Sequence, residues 1–118
     1  MIKTADFESG GKRYRLRFDV NALADVEKEA NVGFGQIMKM EYSFHLVRLL
    51  LWAGLKWEIH GLTVERAGNI LSQFITSGGD LGWIGDKIGE AIQLSGLFKE
   101  EDEAGGDDDP NMTAEAAN

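Results

Sequence analysis

The sequence predicts an α+β domain that is mostly α: an N-terminal β-hairpin packed on a bundle of about four helices over residues 1–98, followed over 99–118 by an acidic tail read as disordered. Three observations predict it. At 13–18 (RYRLRF) arginines alternate with large apolar residues, the two-residue period of a half-buried strand. At 44–57 (FHLVRLLLWAGLKW) apolar residues cover nearly the whole circumference of a helical wheel, so a helix there must be buried. From Glu100 onward the composition shifts to acid, Gly, Asn and Ala, with Met112 as its one large apolar residue. Such a segment cannot bury enough surface to offset the entropy of ordering it.

Residues 2–7 read as the partner strand, joined to the first through Glu8, Ser9, Gly10 and Gly11, where glycine supplies the positive φ of a tight hairpin. A lone hairpin is marginal in water, so the face formed by Tyr14, Leu16 and Phe18 must rest on helices. Asp19 or Asn21 caps a first helix with Leu23, Val26 and Ala30 as its buried stripe. Gly33 and Gly35 interrupt the pattern, and Phe34, Ile37 and Met38 form a short turn or small helix that plugs the core.

The long apolar helix follows, capped near Ser43 and ending at 58–61. One narrow stripe on it is polar: Glu41, His45, Arg48 and Lys56, with Trp52 in the middle. Thr63 caps the next helix and Glu65 sits in its first turn, where a negative charge suits the helix dipole. Val64, Ala67, Gly68, Leu71, Phe74 and Ile75 share one of its faces; Glu65, Arg66, Asn69, Ser72, Gln73 and Thr76 share the other.

Gly78 and Gly79 stop that helix, and Asp80 caps a last one running to about Phe98. Within it Gly82, Gly85, Gly89 and Gly96 project into a sector of about 60° at 100° per residue. Each costs about 0.8–1 kcal/mol of helix propensity relative to Ala. That cost reads as close packing, because a strip without side chains admits another helix backbone, either the chain's own or that of a second copy in a homo-oligomer. Leu81, Ile84, Ile88, Ala91 and Ile92 form the adjoining core stripe, while Trp83, Leu94 and Leu97 lie on the far side, where a monomer would expose them.

The formal charge of −8 is unevenly placed. Residues 99–118 hold one lysine against eight carboxylates, a net of −7, which leaves −1 for the rest. A nearly neutral body offers no field for nucleic acid, whose binding depends on neutralising phosphates. The one basic cluster, Lys12, Arg13, Arg15 and Arg17, reads as a solvated strand face. There is no Cys, which removes disulfides, thiolate metal sites and cysteine nucleophiles together. The longest apolar run, at 49–55, is far short of the roughly 20 residues needed to span a bilayer. His45 and His60 stand apart from any second ligand at metal-binding spacing, and no phosphate loop, dinucleotide fingerprint or serine elbow occurs. The acidic stretch at 102–110 lacks the alternating ligands and closing Glu of a calcium loop. The expectation is a protein without catalytic, cofactor or metal sites.

Taken in order, YRLRFDVNALADVEKEANVGFGQIM, LVRLLLWAGL, LTVERAGNIL and IGDKIGEAI resemble the tail assembly chaperones of tailed phages, prophages and gene transfer agents, over residues 13–98. The resemblance implies a small α-rich, non-catalytic protein of the bacterial host cytoplasm, absent from the mature virion. It implies binding of the tape measure protein while tail tube subunits polymerise, with the tail tube protein as a further partner. In many such phages a frameshift also yields a longer form. The implied task is to shield a long helical chain whose apolar stripe would aggregate if left bare.

Helical projection, independent of the resemblance, nominates Trp52, Trp83, Leu94 and Leu97 as partner contacts, with Arg48 and Lys56 as rim charges. Two other readings stand beside the chaperone: a structural tail or head-tail connector subunit, and, more weakly, a small regulatory module using the basic cluster on nucleic acid.

Overall fold

In the computed structural model, residues 3–98 are described, and the segment read as a disordered acidic tail, 99–118, lies outside them. The chain opens with an antiparallel hairpin, β1 (Ala5–Ser9) and β2 (Lys12–Leu16), paired from Ala5 with Leu16 to Ser9 with Lys12. The turn is Gly10 and Gly11 alone, both at positive φ (60° and 76°), as a two-residue hairpin turn following the strand twist requires. Glu8 and Ser9, expected in the connection, belong to β1, and the expected strand at 2–7 is displaced to Ala5–Ser9.

Alternation sends Ala5, Phe7, Tyr14 and Leu16 inward and leaves Glu8, Arg13 and Arg15 outside. On the outer face Asp6 accepts from Arg13 Nε at 3.0 Å and from Thr4 Oγ1 at 3.0 Å. Desolvation tends to raise the Asp6 carboxyl, but these hydrogen bonds, with the charges of Arg13 and Arg15, outweigh it and hold the group below its ordinary range.

The helices are α1 (Val20–Ala30), a single turn α2 (Phe34–Ile37), α3 (Phe44–Leu55), α4 (Val64–Thr76) and α5 (Leu81–Leu94). Each of the four longer helices starts on a side chain that accepts a backbone N–H three residues on. Asp19 takes Ala22 N at 2.8 Å, Ser43 takes Leu46 N at 3.1 Å, Thr63 takes Arg66 N at 3.1 Å and Asp80 takes Trp83 N at 2.9 Å. The start of α2 borrows its acceptor from another helix: Glu27 of α1 takes Phe34 N at 2.7 Å.

Helix α3 is the centre of the molecule and packs on α1, α4, α5 and β2. Its Leu46, Val47, Leu49, Leu50, Leu51, Ala53 and Leu55 are all buried, which fulfils the all-round apolar pattern. It ends earlier than the expected 58–61. In a continuing helix Glu58 N would bond to Gly54 O; here Arg17 N takes that carbonyl at 2.9 Å and Glu58 N turns to Leu55 O at 3.1 Å.

Helix α5 likewise stops at Leu94 rather than Phe98, because Gly96 adopts φ 74° just past its end, the left-handed position that closes many helices. Met38, expected to plug the core beside Phe34 and Ile37, points out of it: those two are buried and Met38 is 59 % exposed.

A column of aromatic rings ties the hairpin to the last two helices. Tyr14 stacks on Phe7 (5.1 Å between centroids), Phe7 meets Phe74 edge-on (5.9 Å) and Phe74 stacks on Trp83 (5.8 Å). Lys12 covers the Tyr14 end and Lys87 the Trp83 end.

A Cβ on Gly54 would lie 2.8 Å from Phe18 Cζ and 2.9 Å from Leu16 Cδ2, whereas one on Gly89 would meet nothing within 4 Å. Gly54→Ala is therefore expected to destabilise the protein by about 1–3 kcal/mol through overpacking. Gly89→Ala should instead stabilise it by roughly 0.5–1 kcal/mol through helix propensity. Urea denaturation of the two variants checks both signs.

The lowered Asp6 carboxyl also gives a pH signature. Its ionised form adds stability that is complete above the ordinary value of 3.8 and is lost as pH falls through the lower folded-state value. The stability gap between the parent chain and Asp6→Asn, followed by urea melts from pH 6 down to 2, should close only at the acid end.

Candidate functional site

The polar stripe of α3 is largely consumed inside the fold. Trp52 is half-buried against the core, and its indole N–H donates to Leu62 O at 3.0 Å in the connection leading into α4. Lys56 lies over the same ring, 4.2 Å from its centroid, and pairs with Asp25 of α1. Trp52 and Lys56 thus join α3 to its neighbours and do not present the open stripe that projection suggested. Arg48 runs toward α4: a Cβ on Gly68 would lie 2.9 Å from Arg48 Cδ, so the glycine is what lets that side chain lie across the helix.

The far-side residues of α5 divide. Trp83 is 46 % exposed but anchored on Phe74 by its stacked ring. Leu94 is packed against the core, contrary to the exposed position expected for it, while Leu97 is exposed beyond the helix end. The four glycines do not form one strip. Gly96 is outside α5; Gly82 is exposed and Gly89 opens on free space. Gly85 alone is closely packed, and what covers it is the Tyr42 ring, 2.5 Å from where a Cβ would sit, not a helix backbone.

The basic cluster engages the chain's own groups. Lys12 covers Tyr14 and Arg13 pairs with Asp6. Arg15 pairs with Glu58, and the guanidiniums of Arg15 and Arg17 both lie near the Trp57 ring, at 5.1 and 5.3 Å from its centroid. The Glu58 hydrogen bond and charge push Arg15 further toward its protonated form. Trp57 closes the arrangement by donating to Arg15 O at 3.0 Å, so hairpin and α3 are clasped on the outer side as well.

The exposed apolar surface lies elsewhere. Met38, Met40 and Tyr42, every second residue of the connection from α2, and Phe44, the first residue of α3, are all exposed, Phe44 at 67 %. The last of them stands at a groove of about 560 Å³ between α3 and α4. Leu71, Ile75 and Gly68 give the groove apolar lining; His45 and Arg48 line it from α3, and Glu65, Asn69, Ser72 and Thr76 from α4. The sequence pattern puts Met38 in the core and Phe44 within the buried helix, while Met40 and Tyr42 fall in a connection with no helix or strand period. The usable signal is four large apolar residues in the seven positions around the Ser43 cap.

Among the described residues no group of three or more His, Asp or Glu stands close enough to hold a metal ion, and no helix is long and apolar enough to cross a membrane. Comparison with protein-family models, curated proteins and solved structures finds no match.

Because Trp52 holds the Leu62 carbonyl and packs on the core, Trp52→Ala is expected to cost about 3 kcal/mol of stability. For a domain of this size that lowers Tm by about 10–25 °C. Differential scanning calorimetry measures it, and an unchanged Tm would return Trp52 to the surface.

Proposed function

We propose that this protein is a non-catalytic tail assembly chaperone of a tailed phage or prophage, acting in the bacterial host cytoplasm. It holds the tape measure protein during tail assembly and is absent from the finished particle. Two things support the reading: the ordered series of motifs over 13–98, and the run of exposed apolar residues Met38, Met40, Tyr42 and Phe44, of which Phe44 lines the α3–α4 groove, the observation that carries it.

The physical logic is shielding. A long helical client with a bare apolar stripe aggregates unless that stripe is covered. A groove between two helices with the exposed Phe44 at its edge suits a helix laid lengthwise, and the exposed thioether side chains of Met38 and Met40 in the preceding connection adapt to varied partners. The contact surface is thereby moved from Trp52 and Leu94, which the fold has used, to the connector and the groove. Trp83 and Leu97 remain exposed outside it.

Co-expression with a tape measure protein, a long helical chain, tests the assignment. The parent chain should keep that protein in the soluble fraction, and Phe44→Ser combined with Met40→Ser should reduce the soluble amount at least five-fold without altering the chaperone's own melting curve. Mass spectrometry of purified particles should find no copies; presence at high copy would establish the structural tail or connector reading instead.

A further inference from the structure

Arg48 is the odd member of the α3–α4 groove. Its Nη2 donates to His45 Nδ1 at 3.0 Å, and since a guanidinium has no acceptor, His45 must be the acceptor with its own proton on Nε2. Its Nε is buried and, like that of Arg17, has no acceptor among the described residues. The groove's one carboxylate, Glu65, is not among its partners. Arg13, Arg15, Lys56 and Lys87 are each paired with a carboxylate (Asp6, Glu58, Asp25 and Glu90), whereas Arg48, like Arg17, which lies over the Trp57 ring, is not. A buried donor left without a partner is costly, and a charged one more so. The chain nonetheless makes room for it, by placing glycine at 68 where any larger residue would press on the arginine's Cδ.

We propose that the groove takes an amphipathic helix that presents a carboxylate to Arg48 between apolar side chains covering Phe44, Leu71 and Ile75. The proposal rests on the reading of this chain as a protein-binding chaperone and adds the chemistry of what it recognises. The apolar residues supply affinity, as in other helix-in-groove contacts. The carboxylate supplies register, because a planar guanidinium donates to it in a preferred orientation. A helix with the same apolar stripe but a lysine at that position would bury two like charges side by side, so the groove selects among amphipathic helices.

The probe is an 18-residue stapled helical peptide with leucines at i, i+3 and i+7 and a single Glu at i+4, compared with otherwise identical Gln and Lys peptides. Binding is followed by fluorescence anisotropy and by backbone amide shifts of the full-length protein. The Glu peptide should bind at least ten-fold more tightly than the Lys peptide and shift amides of Phe44 to Arg48 and Gly68 to Ile75. Phe44→Ser should weaken it at least five-fold. Arg48→Glu should lose the Glu peptide and gain the Lys peptide, an exchange that a purely structural arginine would not produce. Equal binding of all three peptides, no binding up to millimolar concentration, or shifts confined to the hairpin or α5 would overturn the proposal. So would a concentration-dependent dimer, seen by sedimentation, that Phe44→Ser abolishes, since the groove would then belong to a second copy. Co-expression separates this from the wider reading. If the parent chain fails to solubilise the long helical protein, the chaperone function falls; if it succeeds and Arg48→Glu succeeds equally, only the groove assignment falls.

Discussion

Between Leu16 and Phe18 the chain leaves the hairpin and presses against α3 so closely that residue 54 has no room for a Cβ, and much of the remaining packing follows from that approach. Leu16 and Phe18 are fully buried there, the backbone N–H between them takes the Gly54 carbonyl, and the helix can no longer continue past Leu55. Once α3 stops, Trp57 swings to the Arg15 carbonyl and Glu58 to the Arg15 guanidinium. The two-stranded sheet, too small to stand alone, thus gains an inner seam of apolar contact and an outer clasp of polar contact on one helix. The aromatic column from Tyr14 to Trp83 then brings α4 and α5 to the same hairpin.

A helix buried on almost every side must still place its few polar residues, and α3 does so in three ways. Lys56 reaches out to Asp25, Trp52 gives its one polar atom to a loop carbonyl, and Arg48 is laid over a glycine. The first two are complete, since each polar group has a partner inside the chain. The third is not, because Nε is buried unmatched. Buried polar groups are satisfied in most folded proteins, and Ser9 Oγ and Arg17 Nε share the exception; Arg48 differs in lining the groove between α3 and α4 beside Phe44.

Much of this architecture was legible in the sequence because it is set by local chemistry. Asp19, Ser43, Thr63 and Asp80 read as caps and are caps, the Gly10–Gly11 pair marks the turn, and the Tyr14, Leu16, Phe18 face is buried. The misses share one cause. A helical wheel gives the direction a side chain leaves its own helix and nothing about what waits there. Trp52 and Leu94 point away from their helices' main stripes yet meet the rest of the chain. Gly96 fits the wheel but lies past the helix end, where its positive φ, and not its small size, is what matters. Where α3 would stop depended on a hydrogen bond from a residue 37 positions earlier, Arg17 to Gly54, which no window of neighbouring residues contains.

The same reasoning bears on why the exposed strip is not simply an unfinished core. Its connector is held on both sides: Phe34 is buried and stacks on Phe98, and Tyr42 lies on Gly85 of α5. With those anchors in place, Met38, Met40 and Phe44 stay exposed. Scattered exposed apolar residues are normal on any protein, but Met38, Met40, Tyr42 and Phe44 fall within seven positions, and the last of them lines the groove that also holds Arg48.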